Sequence, residues 1–167
     1  MPFLVKMEDT TGALNKLKEI FTKKEKVDIS SLKIGDIIYI SLDAEDGIIL
    51  KDKYKERLKF IVIVGFTPEG NAIGALLINS NVNILKRSQE LYNCQFPLLR
   101  RNYCNILDYD SWLDCSDIFE ISKQKIANKE AKAKGCLTEE DKERVINFLK
   151  ETDVFDNATK RRYGLIK

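Results

Sequence analysis

The chain has 167 residues, enough for one domain to bury a core that needs neither disulfide nor metal. A hydrophobic fraction of 44% beside a charged fraction of 32% excludes a disordered or membrane chain, and no apolar run is long enough to span a bilayer. The formal net charge of +2 marks no nucleic-acid binder by itself, so any affinity for phosphate must come from local clusters of cations.

At the N-terminus "MPFLV" is followed at once by Lys6, Glu8 and Asp9, without the basic start and long apolar centre of a signal peptide, so a cytoplasmic chain is expected. The stretch "TTGALNKLKEIFTKKEKV" then places Leu14, Leu17, Ile20 and Phe21 at helical spacing among lysines, which predicts an amphipathic helix joined to the rest by a polar "KVDISS" connector. The middle reads as β. "GDIIYISL", "KFIVIVGF" and "NAIGALLIN" are predicted strands, the last two joined by a tight "TPEG" turn. Consecutive strands this apolar on both faces predict a small antiparallel barrel. In "GDIIYISL", Asp36 is placed to bond nearby backbone amides and so fix the start of the strand.

Before the second strand, "KDKYKERLK" carries cations at positions 51, 53, 55, 57 and 59. In an extended chain these alternate residues share a face, so Lys51, Lys53, Lys55, Arg57 and Lys59 would form a ladder able to track a phosphate backbone, with Tyr54 near enough to stack on a base. The other reading of the segment is a solvated, charge-protected hairpin edge. Further basic groups stand at Lys86 and Arg87, at Arg100 and Arg101, and in "TKRRYGLIK". A strand is expected at "SWLDCSDIFEIS" and a helix at "LTEEDKERVINFLK", where Thr138 is the N-cap, acids fill the first turn and Val145, Ile146 and Leu149 form the buried stripe. The expected organisation is a single α+β domain over 1–167, with a helical extension (1–30), a barrel core (33–126), a C-terminal helix (137–151) and a basic tail (156–167).

Cys94, Cys104, Cys115 and Cys136 are ten or more positions apart and the chain has no histidine. That spacing argues against zinc and for small reduced core residues; no metal and no cofactor is expected. Without histidine there is no Ser-His or Cys-His nucleophile pair. Catalysis would have to use Arg, Lys, carboxylates, hydroxyls or backbone amides.

The order of these pieces resembles the MazF/PemK family of toxins across roughly residues 34–149. The strand "GDIIYISL" is similar to the family's opening Gly-Asp-Ile strand at Gly35, Asp36, Ile37, Tyr39 and Leu42. "KFIVIV" looks like its Arg-Pro-aliphatic strand, "LLINS" like the next strand end, and "SWLDCSDIFEISKQKI" followed by "GCLTEEDKERVINFL" like its closing segment and helix. The resemblance implies an SH3-like barrel, a homodimer, an antitoxin partner of protein or RNA, and metal-independent cleavage of single-stranded RNA to 2′,3′-cyclic phosphate and 5′-OH ends.

Carried over by position, the family's Arg-Pro falls on Lys59 and Phe60, its supporting Thr on Asn79 with Ser80 beside it, and an Arg of its later pattern on Phe119. Lysine brings one charge without the planar fork that grips two phosphate oxygens, and Arg57, two residues away on the same strand face, is the candidate replacement. The expected site is thus Arg57, Lys59, Asn79 and Ser80 for catalysis, with Lys51, Lys53, Tyr54, Lys55 and Asp36 for RNA. Two function classes stay open: an endoribonuclease toxin, and a non-catalytic SH3-like module that binds RNA or a partner protein.

Overall fold

The computed structural model describes residues 10–51, 53–80 and 88–167, apart from the side chains of 10 and 21–25. The readings of the N-terminal "MPFLV" and of the Lys86–Arg87 pair fall outside these residues. Six strands, β1 (Asp36–Leu42), β2 (Arg57–Phe66), β3 (Ala72–Asn79), β4 (Gln95–Leu98), β5 (Ser111–Ser122) and β6 (Lys132–Cys136), form one sheet in the order β4-β5-β3-β2-β1-β6. Every neighbouring pair is antiparallel. Among the described residues five α-helices accompany them: α1 (Thr10–Glu25), α2 (Gln89–Asn93), α3 (Lys123–Asn128), α4 (Glu139–Glu151) and α5 (Asn157–Arg162).

The sheet is curled into a half-barrel, with β4 and β6 at its two ends. Its register slips between Ile37 and Ile38, between Ile63 and Gly65, and between Ala75 and Leu77. Each such bulge bends a strand and increases its twist, which is how a flat ladder acquires curvature.

The central strands are apolar at nearly every position because both faces of the sheet are covered. Alternate residues separate cleanly. Ile37, Val62, Val64, Leu76, Ile78 and Leu113 join Val145 and Leu149 of α4, together with Tyr103, Leu107, Tyr163 and Leu165, in one core. Ile38, Ile40, Leu42, Ile61, Ile63, Ile73 and Leu77 face the other way and pack with Ile126 of α3, Ile48 and Ala131. Ile61 and Ile63 are fully buried, and each such side chain contributes about 2 kcal/mol of transfer free energy.

The Gly-Asp pair at the head of β1 is a hinge in the chain path. Gly35 has φ +94°, its N–H donates to the Ile63 carbonyl at 2.8 Å, and its carbonyl accepts from Leu137 N–H at 2.8 Å. A β-carbon there would come within 2.8 Å of the Lys142 side chain of α4. The Asp36 carboxylate accepts the Lys33 N–H at 2.8 Å, closing the turn that feeds the strand.

The helix α4 forms as its sequence predicts: Thr138 Oγ1 accepts the Asp141 N–H at 3.2 Å, acids occupy the first turn, and Val145 and Leu149 are fully buried while Ile146 packs at the margin. The helix α1 also lies where expected, but its apolar stripe is not covered by the body of the protein. Leu14, Leu17 and Ile20 are each about half exposed, and the element meets the fold mainly near β6, where Lys26 bridges to Lys132.

Three expectations need correction. The barrel core does not end at residue 126, because β6 at Lys132–Cys136 adds the strand beside β1. The cysteines are not all core residues: Cys94 and Cys115 are buried, whereas Cys104 and Cys136 are exposed, and all four are free thiols. The basic segment at the C-terminus is folded, with Asp156 capping α5 and Tyr163 and Leu165 buried in the core. Among the described residues no helix is long and apolar enough to cross a membrane.

Candidate nucleic-acid interface

The cation ladder expected over residues 51–59 exists only in its last part. The strand begins at Arg57, and the Tyr54 N–H donates to the Lys51 carbonyl at 3.4 Å, so the chain turns where an extended run was expected. Arg57 and Lys59 therefore share strand geometry, while Lys51, Lys53 and Lys55 are exposed on the preceding loop. The physical reason is local: no cross-strand partner continues β1 past Leu42, which pairs with Arg57, and beyond it Asp43 starts a capped turn.

The register places the polar pair predicted for catalysis side by side. Lys59 lies opposite Ile40 on β1, and its neighbour Phe60 lies opposite Ile78 on β3, next to Asn79. The Lys59 ammonium donates to the Asn79 side-chain oxygen at 2.9 Å. Strand alternation puts Arg57, Lys59 and Asn79 on one face and Leu58, Phe60 and Ile78 on the other.

At this end of the sheet, where β2 and β5 begin and β3 ends, two clefts meet. One, of about 230 Å³, has a floor of Tyr39, Phe60 and Ile78, and Arg57, Leu58, Lys59 and Ser80 border it together with Leu107, Asp108, Tyr109 and Ser111. The Tyr39 and Phe60 rings are 4.6 Å apart at 40°. The second cleft, of about 360 Å³, is formed by Leu50, Lys51, Tyr54, Glu56, Arg57 and Leu58. Arg57 and Leu58 border both, so the two clefts adjoin at the start of β2, and together they make the track. Along it Tyr54, Leu58 and Tyr109 are largely exposed, at 72%, 57% and 71%. Exposed aromatic faces beside cations are what single-stranded nucleic acid binds, by stacking and phosphate contact.

Of the residues singled out from sequence, Arg57, Lys59, Ser80, Lys51 and Tyr54 line this track, and Asn79 joins it through Lys59. Lys53 and Lys55 line neither cleft. Asp36 stands at the far end of β1, three residues and thus about 10 Å along the strand from Tyr39, and its carboxylate is engaged by Lys33. Phe119 packs into the core on the α3 side and is no part of the site.

Sequence reasoning missed the segment 107–111, which supplies one wall. Leu107 anchors it in the core and donates its N–H to the Tyr103 carbonyl at 2.8 Å. Asp110 accepts the Arg100 N–H at 2.8 Å, and the Ser111 hydroxyl donates to the Tyr109 carbonyl at 2.9 Å. The pattern "LDYDS" is short and polar, and only its position beside β2 gives it meaning.

Several ionisable groups around the site are engaged in structural bonds, Glu56 of the second cleft among them. Glu56 accepts from the Ser41 hydroxyl at 2.5 Å and from Lys129 at 2.8 Å, and these bonds hold its carboxyl below the usual range. Lys125 of α3 bonds Asp43 at 3.1 Å and also Asp46, tying down the loop after β1. Burial pushes the Cys115 thiol up to about 12 and raises that of Cys94, so neither is a thiolate nucleophile at neutral pH. Among the described residues no group of three or more Cys, Asp or Glu is placed to hold a metal ion.

The fold and track define a half-barrel α+β protein with an aromatic, basic groove at one sheet end. Neither a scan against models of known protein families nor a search of curated proteins finds a match.

Proposed function

We propose that the protein is a metal-independent endoribonuclease of the MazF/PemK kind, cutting single-stranded RNA in the groove between Tyr54 and Tyr109. One observation carries the reading: Arg57 and Lys59, on one face of β2, and Ser80 border a cleft whose floor, the Tyr39 and Phe60 rings, belongs to the other face. In the reaction the ribose 2′-hydroxyl gives its proton to water as its oxygen bonds the neighbouring phosphorus, and the bond to the 5′-oxygen breaks with that oxygen taking up a proton, leaving a 2′,3′-cyclic phosphate and a 5′-OH. The protein's part is to splay the strand on the aromatic side chains and to meet the charge that builds on the phosphate oxygens. Arg57 supplies the forked cation, Lys59 the point charge, and the Ser80 hydroxyl and Asn79 amide supply neutral donors. On this reading the chain acts as a cytoplasmic homodimer restrained by an antitoxin, protein or RNA.

The test is incubation of purified protein with single-stranded RNA in EDTA. Fragments ending in 2′,3′-cyclic phosphate and 5′-OH are expected, and Arg57→Ala and Lys59→Ala should abolish them. RNA that stays intact under these conditions, with growth unaffected by induced expression, overturns the nuclease reading.

A second reading is favoured by the bond between Lys59 and Asn79, which satisfies one carried-over residue with another. On that reading the groove binds RNA or a partner protein without cutting. Binding that weakens steeply with salt, with no cleavage products, supports it.

A further inference from the structure

We infer that Asp108 selects guanine, on the reading above that the cleft takes single-stranded RNA: its carboxylate receives the donor edge of a base stacked against Tyr109. The cleft at about 230 Å³ is smaller than the usual site for a drug-sized ligand and suits one planar heterocycle rather than a larger molecule. Its floor is aromatic and aliphatic, which fits a base face, and its polar groups are distributed unequally. The cations Arg57 and Lys59 come from the start of β2, whereas Asp108 comes from a separate segment, the one before β5.

That asymmetry sets the direction of the ligand. A carboxylate repels phosphate, so the backbone runs on the Arg57 and Lys59 side and the base points its edge toward Asp108. Ionised, that group only accepts hydrogen bonds, so it selects bases by the donors they offer. Guanine presents two adjacent donors, N1–H and the N2 amino group, which match the two carboxylate oxygens. Cytosine and adenine present one amino group beside a ring acceptor, and uracil presents one N–H between two carbonyls, each of which a carboxylate repels.

The wall is also built to hold Asp108 still. Leu107 on one side is buried in the core, and on the other Asp110 is bonded to Arg100 and Ser111 to Tyr109. The neighbouring acid is thus committed to the backbone, whereas Asp108 makes no hydrogen bond or ion pair with any described residue. A rigid wall carrying an unengaged acceptor is the arrangement that base discrimination needs.

The experiment is fluorescence anisotropy of the full chain with labelled oligouridylates, 2′-O-methylated throughout so that nothing can be cut. One central position carries guanosine, inosine or uridine. Guanosine is expected to bind about tenfold tighter than uridine, the size of one bidentate pair, with inosine between them because it lacks the amino group. Asp108→Asn should collapse the guanosine preference, whereas Tyr109→Ala should weaken all three alike because stacking tolerates any base. Tight binding without a preference, or a preference unchanged in Asp108→Asn, overturns the inference and leaves RNA binding standing. Failure of every oligomer to bind at low salt overturns the RNA reading and this inference with it.

Discussion

The Lys59 ammonium is bonded to the Asn79 side-chain oxygen across the β2–β3 pair, while Arg57, two residues earlier on the same face, is exposed at the mouth of the groove. The two cations are therefore not equivalent toward a ligand. Arg57→Ala is expected to lower affinity for single-stranded RNA about tenfold at low salt and to reduce the slope of log affinity against log salt by about one. For Lys59 and Asn79, a double-mutant cycle followed by urea denaturation should show a coupling of about 1 kcal/mol. Additive single effects would show that the bond is not maintained in solution.

Gly65 lies under the C-terminal segment. A methyl group at Gly65 would stand 2.1 Å from the Tyr163 carbonyl oxygen, and one at Gly74 would stand 2.6 Å from the Tyr163 ring. Gly65→Ala should cost about 3 kcal/mol, toward the upper end for overpacking, because backbone rather than a flexible side chain must move. Gly74→Ala should cost less. Urea midpoints of the two variants compare them directly, and a wild-type midpoint for Gly65→Ala would refute the packing.

The helix α4 gives a graded pair. Leu149 is fully buried, so Leu149→Ala should cost about 3 kcal/mol through lost transfer energy and the cavity left behind. Thr138→Ala removes an N-cap and should cost about 1 kcal/mol. Both are read as shifts in the denaturation midpoint at unchanged slope.

Stability should fall on the acid side. The Arg162 guanidinium donates to Glu120 through Nε and Nη2, each at 2.7 Å, and holds its carboxyl below the ordinary 4.5, and the bond from Lys125 holds Asp43 below the ordinary 3.8. A carboxyl depressed in the folded state binds fewer protons there than in the unfolded chain. Its contribution is complete above the ordinary value and is lost as pH falls through the folded one. The urea midpoint should thus be flat from neutral pH to about pH 5 and drop below about pH 4. Asp43→Asn with Glu120→Gln should flatten that drop, and an unchanged profile would count against both pairs.

Much of the sheet was legible because its strands are apolar on both faces. Ile61 to Val64 and Ile73 to Ile78 announce burial without any knowledge of their neighbours, and Thr138 with its acids announces α4. β6 was not legible, because "KAKGC" has no apolar pattern and becomes a strand only by pairing with β1. α5 was missed for the opposite reason: its lysines and arginines disguise a segment whose anchors, Tyr163 and Leu165, follow the helix. In the groove, Arg57 and Lys59 could be assigned to one face by counting along a strand. Asp108 and Tyr109 could not, since they reach the site through Leu107 packing and the Asp110 bond, contacts that link residues distant from β2 in the chain.

The position of Tyr163 also orders events during synthesis. Its ring and backbone cover Gly65 and Gly74 on the two central strands, yet it is translated after every strand of the sheet. A nascent chain can pair β1 to β3 early, but the glycine surface of β2 and β3 stays uncovered until α5 has left the ribosome. The segment from α5 to Leu165 thus acts as a latch on a sheet that precedes it in the chain.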